Sequence, residues 1–179
     1  MQNFAEKIFN EKDIHKKIEI LLYEAKNYSI YFDKAIVFKT LVAKLFIEAM
    51  NIDVDENLVL TACLLCCCKK GKDPLRLERV KVYAKESAEF LFKLGFPKRF
   101  CKICLEQNRY NNSINREKES DILELVDHFG GMMLDRPERR GYPIDEAIIL
   151  LEQRNLKGCN NIYLKQFVEF ISKEMEIIV

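Results

Sequence analysis

At 179 residues the chain is long enough to build one domain around a full hydrophobic core without staples. Apolar residues make up 49% and charged residues 32%, which suits a soluble globular protein, and a net charge of +1 gives no basic field for nucleic acid and no acidic field either. No apolar run approaches the roughly 20 residues of a membrane span, and the N-terminal MQNFAEKIFNEKD lacks the apolar core of a signal peptide. The composition therefore points to a cytoplasmic protein with no membrane and no nucleic-acid partner.

Gly and Pro are scarce, and apolar residues recur every three or four positions. That pattern predicts an all-α bundle of about seven to eight helices. No repeat or low-complexity linker divides residues 1–179, so one domain is expected. The first substantial helix spans about Asp13 to Tyr28, with Ile14, Ile18, Leu21, Leu22 and Ala25 inward. A second runs from about Asp33 to Met50, with Ala35, Phe38, Leu41, Val42, Leu45, Phe46 and Ala49 inward. The acid-rich NIDVDEN stretch breaks it and favours the next helix start. The third, about Glu56 to Lys70, is apolar nearly all round and should be central. GKDP ends it.

A fourth helix follows from about Arg76 to Leu94, with Val80, Tyr83, Ala84, Ser87, Phe90 and Leu91 in one stripe. Gly95 is its expected C-cap, and Pro97 suits the first turn of a fifth helix reaching about Tyr110. The polar loop NNSINREKES leads into the helix beginning at Asp121. Pro143 opens another helix to about Arg154, and a last one covers about Ile162 to Met175.

The chain holds seven cysteines, an odd number, and three are consecutive: Cys66, Cys67 and Cys68. Adjacent cysteines on a helix point in different directions and do not readily pair. Reduced, buried thiols are expected, not a disulfide framework.

The stretch DILELVDHFGGMMLDRPERR, Asp121 to Arg140, carries Asp127 on its inner face. A buried acid costs free energy unless a metal, a ligand or a hydrogen bond meets it. Three motifs follow one another across this region. The first is Leu125-Val126-Asp127-His128-Phe129-Gly130-Gly131. The second is Asp135-Arg136-Pro137-Glu138-Arg139, and the third is Asp145-Glu146-Ala147. In this order they resemble the HD superfamily of metal-dependent phosphohydrolases, and more closely its HD-GYP-like branch, over residues 56–151. The resemblance implies an HD-like helical bundle. The literal Gly141-Tyr142-Pro143 follows Asp127 instead of preceding it, and is a coincidence.

The family's catalytic pattern is largely absent. Cys66 and Cys67, in Cys63-Leu64-Leu65-Cys66-Cys67-Cys68-Lys69-Lys70, stand where the resemblance places the metal-binding His and Asp. Tyr83 stands at the next family histidine, ahead of Ser87-Ala88. Gln107, Asn108 and Arg109 replace the paired histidines and glutamate of the following helix. Only Asp127 matches a metal ligand. The chain has two histidines: His15 lies outside the matched region, and His128 points about 100° away from Asp127 around the helix.

A two-metal phosphohydrolase needs several hard ligands converging on ions about 3.5–4 Å apart. Asp127 alone cannot hold them, and Arg109 would repel a cation. A soft-metal site from Cys66, Cys67, Cys104 and Asp127 is the alternative, since zinc accepts such ligands. The Cys101-x-x-Cys104 pair sits in a helical pattern, however, where buried thiols are ordinary core residues. Cys101 is also a candidate reactive thiol, because Lys98, Arg99 and Lys102 would lower its pKa. Arg136, Arg139 and Arg140 form either a phosphate contact or a solvated turn, with one arginine pairing to Asp127 or Asp135.

The residues thus predict a degenerate HD-like domain serving as a regulatory module that binds a small ligand or a protein in bacterial-type signalling, with no catalytic residue, cofactor or metal. Its pocket would lie among Cys66, Cys67, Tyr83, Gln107, Asn108, Arg109 and Asp127. A phosphohydrolase or phosphodiesterase with an altered Cys/Asp metal site is the competing expectation, and a structural homodimer the third. Asp127 is expected to pair within the protein, to Arg109, Asn108 or Tyr83.

Overall fold

A computed structural model describes residues 3–71, 77–108, 115–136, 139–155 and 160–174. Nine helices occur among these residues: α1 (Phe4–Asn10), α2 (Ile14–Tyr28), α3 (Lys34–Ala49), α4 (Glu56–Leu65), α5 (Leu77–Lys93), α6 (Lys98–Glu106), α7 (Lys118–Met133), α8 (Ile144–Asn155) and α9 (Leu164–Glu174). The fold is all-α, as the apolar periodicity predicts. The short α1 is an addition to the expected set.

Each of the first four helices starts on a short polar side chain. Asn3, Asp13, Asp33 and Asp55 accept from the backbone N–H three residues on, at 2.9–3.0 Å. Such caps satisfy N–H groups that have no partner inside the helix, and the three aspartates also place a negative charge at its positive end. Gly95 ends α5 with φ +92°, the left-handed conformation expected of a C-cap glycine.

The buried face of α3 is Ile36, Lys39, Thr40, Val42, Ala43, Phe46 and Ile47. Leu41 and Leu45, expected inward, face solvent, as does Ala49. On α2, Leu22 is likewise exposed. The helix is therefore rotated from the expected register, and the rotation takes Lys39 into the interior.

The buried α4 packs on α3 and on α7, and α3 also packs on α7. Gly130 makes that last approach close: a Cβ there would lie 3.3 Å from the Phe38 ring and 3.5 Å from Lys39 Cβ. Phe46 of α3 meets Phe167 and Phe170 of α9 at ring-centroid distances of 5.1 and 5.5 Å, tying the C-terminal helix to the same core. The third helix is shorter than the sequence suggests. It ends at Leu65, and Cys66 to Lys69 form a turn beyond it.

Acid burial is broader than a single residue on α7. Glu119, Asp121 and Glu124 are all buried at the start of the helix, and Glu106 faces them from α6. Arg99 meets Glu119 at 2.8 Å, while Arg116 meets Asp121 at 2.9 Å and Glu124 at 2.5 Å. Glu106 accepts from the Glu117 N–H at 2.8 Å and the Ser120 hydroxyl at 3.0 Å. These pairs dock α6 onto α7 and orient the helix that carries Asp127.

Candidate functional site

The turn after α4 and the inner faces of α3 and α7 bring Cys66, Cys67, Lys39 and Asp127 together. The Lys39 ammonium donates to Asp127 Oδ1 at 2.8 Å, to Cys67 Sγ at 3.1 Å and to Cys66 Sγ at 3.4 Å. Three N–H groups thus meet three acceptors, which an ammonium allows. Cys66 is the C-cap residue of α4, so the cation also lies toward the negative end of that helix. The expected partners of Asp127 were Arg109, Asn108 and Tyr83. The partner found is Lys39, 88 positions away in sequence.

Both charges persist. Burial pushes the Lys39 pKa down, but Asp127 and the neighbouring sulfurs more than offset it, and the value ends well above that of a free lysine. Burial raises Asp127, but Lys39 and Lys70 prevail and hold its carboxyl well below the usual range. Asp127 is not sealed in: its side chain is 23% exposed, against 4% for Lys39.

That exposure opens into a pocket of about 40 Å³ lined by Asp33, Lys39, Cys67, Lys70, Asp127 and Arg136, with Gly130 and Gly131 in its wall. Asp33 also accepts from the Tyr31 hydroxyl at 2.5 Å. The expected pocket residues are only partly gathered here. Cys67 and Asp127 line the pocket, and Cys66 lies just behind Cys67. Tyr83 is buried, and burial first, then the charges of Cys67 and Asp127, raises its pKa well above 10. Gln107 and Asn108 are buried but do not line the pocket, and Gln107 Nε2 has no hydrogen-bond partner among the described residues. Arg109 lies outside the described residues.

The cysteines also depart from expectation. Cys66 and Cys67 follow the end of α4, and their sulfurs approach to 3.7 Å instead of diverging as they would within a helix. The hydrogen bond from Cys66 draws the Cys67 pKa down against the cost of burial, and Lys39 adds to the pull. Burial raises Cys104 well above the usual thiol value. Cys101 is not activated. It is buried, its thiol approaches the Phe96 carbonyl at 3.8 Å, and burial pushes its pKa up to about 11. The nearby cations are engaged elsewhere: Arg99 and Lys102 both meet Glu117.

Arg139 closes the end of α7. It donates to the Met132 carbonyl at 3.2 Å and to that of Gly131, and its guanidinium lies 4.5 Å from the Tyr142 ring centre. These contacts satisfy terminal carbonyls that a helix leaves unpaired. Asp135 accepts from the Gly141 N–H at 2.7 Å. Arg136 alone of the arginine cluster reaches the pocket. Arg140 is exposed, and its carbonyl accepts from Arg139 at 2.7 Å.

The donor set does not fit a divalent metal. The point at which a cation would meet Asp127 and the two sulfurs is already held by the Lys39 ammonium, and a second cation there would be repelled. Among the described residues no three His, Cys, Asp or Glu side chains converge as a metal-binding group. Comparison with known proteins finds no matching family model, no matching curated protein and no matching solved structure.

Proposed function

We propose that this chain is a non-catalytic, HD-like helical domain acting as a binding module in bacterial-type signalling. In this reading an internal ammonium takes the place of the metal that the resemblance to the phosphohydrolases implies. The observation that carries the reading is the position of Lys39 Nζ, 2.8 Å from Asp127 and within 3.4 Å of both sulfurs. Metal-assisted hydrolysis needs an ion that polarises phosphate and lowers the pKa of a bound water. An ammonium clamped between a carboxylate and two thiols supplies charge but no open coordination position.

The pocket size narrows the ligand. Sites for drug-sized molecules enclose about 300–1,000 Å³, and the space beside Asp127 is about 40 Å³. That space is small for a nucleotide, whereas two wider clefts, about 620 Å³ beside Ala88, Phe92 and Leu105 and about 580 Å³ beside Met133, Tyr142 and Ile148, have the size for a small ligand or a segment of a protein partner. Six free, buried thiols among the described residues suit a reducing compartment, in keeping with a cytoplasmic location.

The test is elemental analysis of protein purified without chelator, with hydrolysis of a chromogenic phosphodiester measured in added Mn²⁺, Mg²⁺ or Zn²⁺. Substoichiometric metal and no hydrolysis are expected. One transition metal per chain, lost in Cys66→Ser or Asp127→Ala, would overturn the reading in favour of an altered Cys/Asp metal site.

A further inference from the structure

We propose that Cys66 and Cys67 form a redox-responsive dithiol whose oxidant is a small hydroperoxide admitted by the pocket beside Asp127. The proposal rests on the metal-free site described above, because a bound metal would occupy both sulfurs.

Three observations carry it. The two sulfurs lie 3.7 Å apart, although their residues are adjacent. Cys67 lines the pocket and Cys66 lies behind it, so one thiol meets the oxidant and the other resolves. The Lys39 ammonium is 3.1 Å from the Cys67 sulfur and favours its thiolate, outweighing Asp127, whose Oδ1 lies 3.7 Å from the same sulfur. Redox-active cysteines combine these features: a stabilised thiolate, a path from solvent and a resolving neighbour. The lowered pKa of Cys67 agrees with this assignment. Cys63, Cys68 and Cys104 are buried, as Cys66 and Cys67 are, but they do not line the pocket, and their pKa values are raised chiefly by burial. The pocket's volume of about 40 Å³ exceeds the roughly 10–15 Å³ that one water needs, so a small oxidant reaches Cys67.

The chemistry balances. The Cys67 thiolate attacks one peroxide oxygen and the O–O bond breaks. Hydroxide leaves and takes up a proton as water, and Cys67 becomes a sulfenic acid. The Cys66 sulfur then attacks the Cys67 sulfur. The S–O bond breaks, the S–S bond forms, and the oxygen departs as a second water with the Cys66 proton. Two thiols lose two electrons and the peroxide gains them.

The product joins neighbours whose Cα atoms are about 3.8 Å apart, closer than the roughly 4.4–6.8 Å of most disulfides. The ring is strained, so a cellular thiol pool readily reopens it. Oxidation also takes two acceptors from Lys39 and perturbs the junction of α3 with the end of α4. A binding module acquires a reversible switch in this way.

The experiment uses the reduced full chain carrying Cys159→Ser, which removes a competing thiol outside the described residues. Hydrogen peroxide is added in stoichiometric amounts, and sites are mapped by mass spectrometry after trapping with a sulfenic-acid reagent. Expected is loss of two hydrogens confined to the Cys66–Cys67 peptide, restored by dithiothreitol. Cys66→Ser should stop at a trapped sulfenic acid on Cys67. Lys39→Met should slow Cys67 oxidation by about tenfold or more while circular dichroism stays helical. Oxidation spread evenly over the cysteines, or led by Cys101, overturns the proposal. So does oxidation that begins only where the helices melt. Substoichiometric metal alongside a negative peroxide result rejects the switch alone. Stoichiometric metal on Cys66 rejects the underlying reading.

Discussion

Replacing Asp127 by Asn removes the counter-charge from an ammonium whose side chain is 4% exposed. The remaining acceptors are the neutral amide oxygen of the new side chain and two sulfurs, which are weak partners for a buried cation. Stripping one member from a buried ion pair costs about 3–5 kcal/mol. The partial exposure of Asp127 favours the lower end, so the loss should be about 3 kcal/mol. At this chain length each kcal/mol shifts Tm by about 2–4 °C, giving a fall of roughly 6–12 °C. Lys39→Met should cost less, about 1–2 kcal/mol, because the carboxylate it leaves reaches solvent and has Lys70 beside it. The double variant Lys39→Met/Asp127→Asn has no uncompensated buried charge and should lie within about 1 kcal/mol of the parent. Urea denaturation of the four proteins gives the coupling energy, expected at about 3–5 kcal/mol.

The pH dependence of that coupling is fixed by sign. The folded Asp127 pKa is depressed, so its contribution holds above the unfolded carboxylate value and is lost as pH falls through the folded value. The folded Lys39 pKa is raised, so its contribution holds below the unfolded lysine value and is lost as pH rises through the folded one. The coupling should therefore stay flat from about pH 5 to about pH 9. Additive costs, or a Lys39→Met variant less stable than Asp127→Asn, would refute the pairing argument.

Two further outcomes follow from other buried contacts. Lys17 is fully buried, donates to the Ile8 carbonyl at 2.6 Å and to Thr61 Oγ1 at 2.8 Å, and burial lowers its pKa to about 8. The unfolded chain binds the extra proton, so stability should rise with pH between about 8 and about 10.5, by at most about 3 kcal/mol; an identical profile in Lys17→Met would contradict this. Gly141→Ala should cost about 2–3 kcal/mol by urea denaturation, because its Cβ would collide with the Met133 carbonyl oxygen. Gly131→Ala should be near neutral, since the atom it meets is the movable end of Arg136; equal losses would show that backbone contact is not what selects glycine at Gly141.

The all-helical fold was legible because apolar spacing is a local property. Capping acids such as Asp55 and the C-cap Gly95 were equally readable, since each acts within a few residues. The need of Asp127 for a partner was also clear from its position. The partner was not. Leu41, Leu45 and Ala49 suggested a buried face for α3 that leaves Lys39 outside, and a lysine among apolar residues reads as a solvent-facing charge. Only packing against α4 and α7 favours the rotated register. The 3.7 Å approach of Cys66 and Cys67 was hidden for a related reason. Helical spacing carried through to Lys70 separates those side chains, whereas the turn after Leu65 brings them together. Of the acids at the start of α7, Glu119 was read with the polar loop, and the burial of Asp121 and Glu124 stayed hidden because their arginine partner gives no periodic signal.

A metal ion that bridges helices is a solute, and its stabilising effect follows mass action: it rises with the free concentration and vanishes when a chelator wins. The Lys39 ammonium is part of α3, so its presence at the junction with α4 and α7 depends on no external concentration. Its chemical potential is fixed by the chain itself. Scarcity of an ion, or competition from another, has no leverage over this junction. What remains to act on it is covalent change at the sulfurs, protonation of the carboxylate or deprotonation of the ammonium.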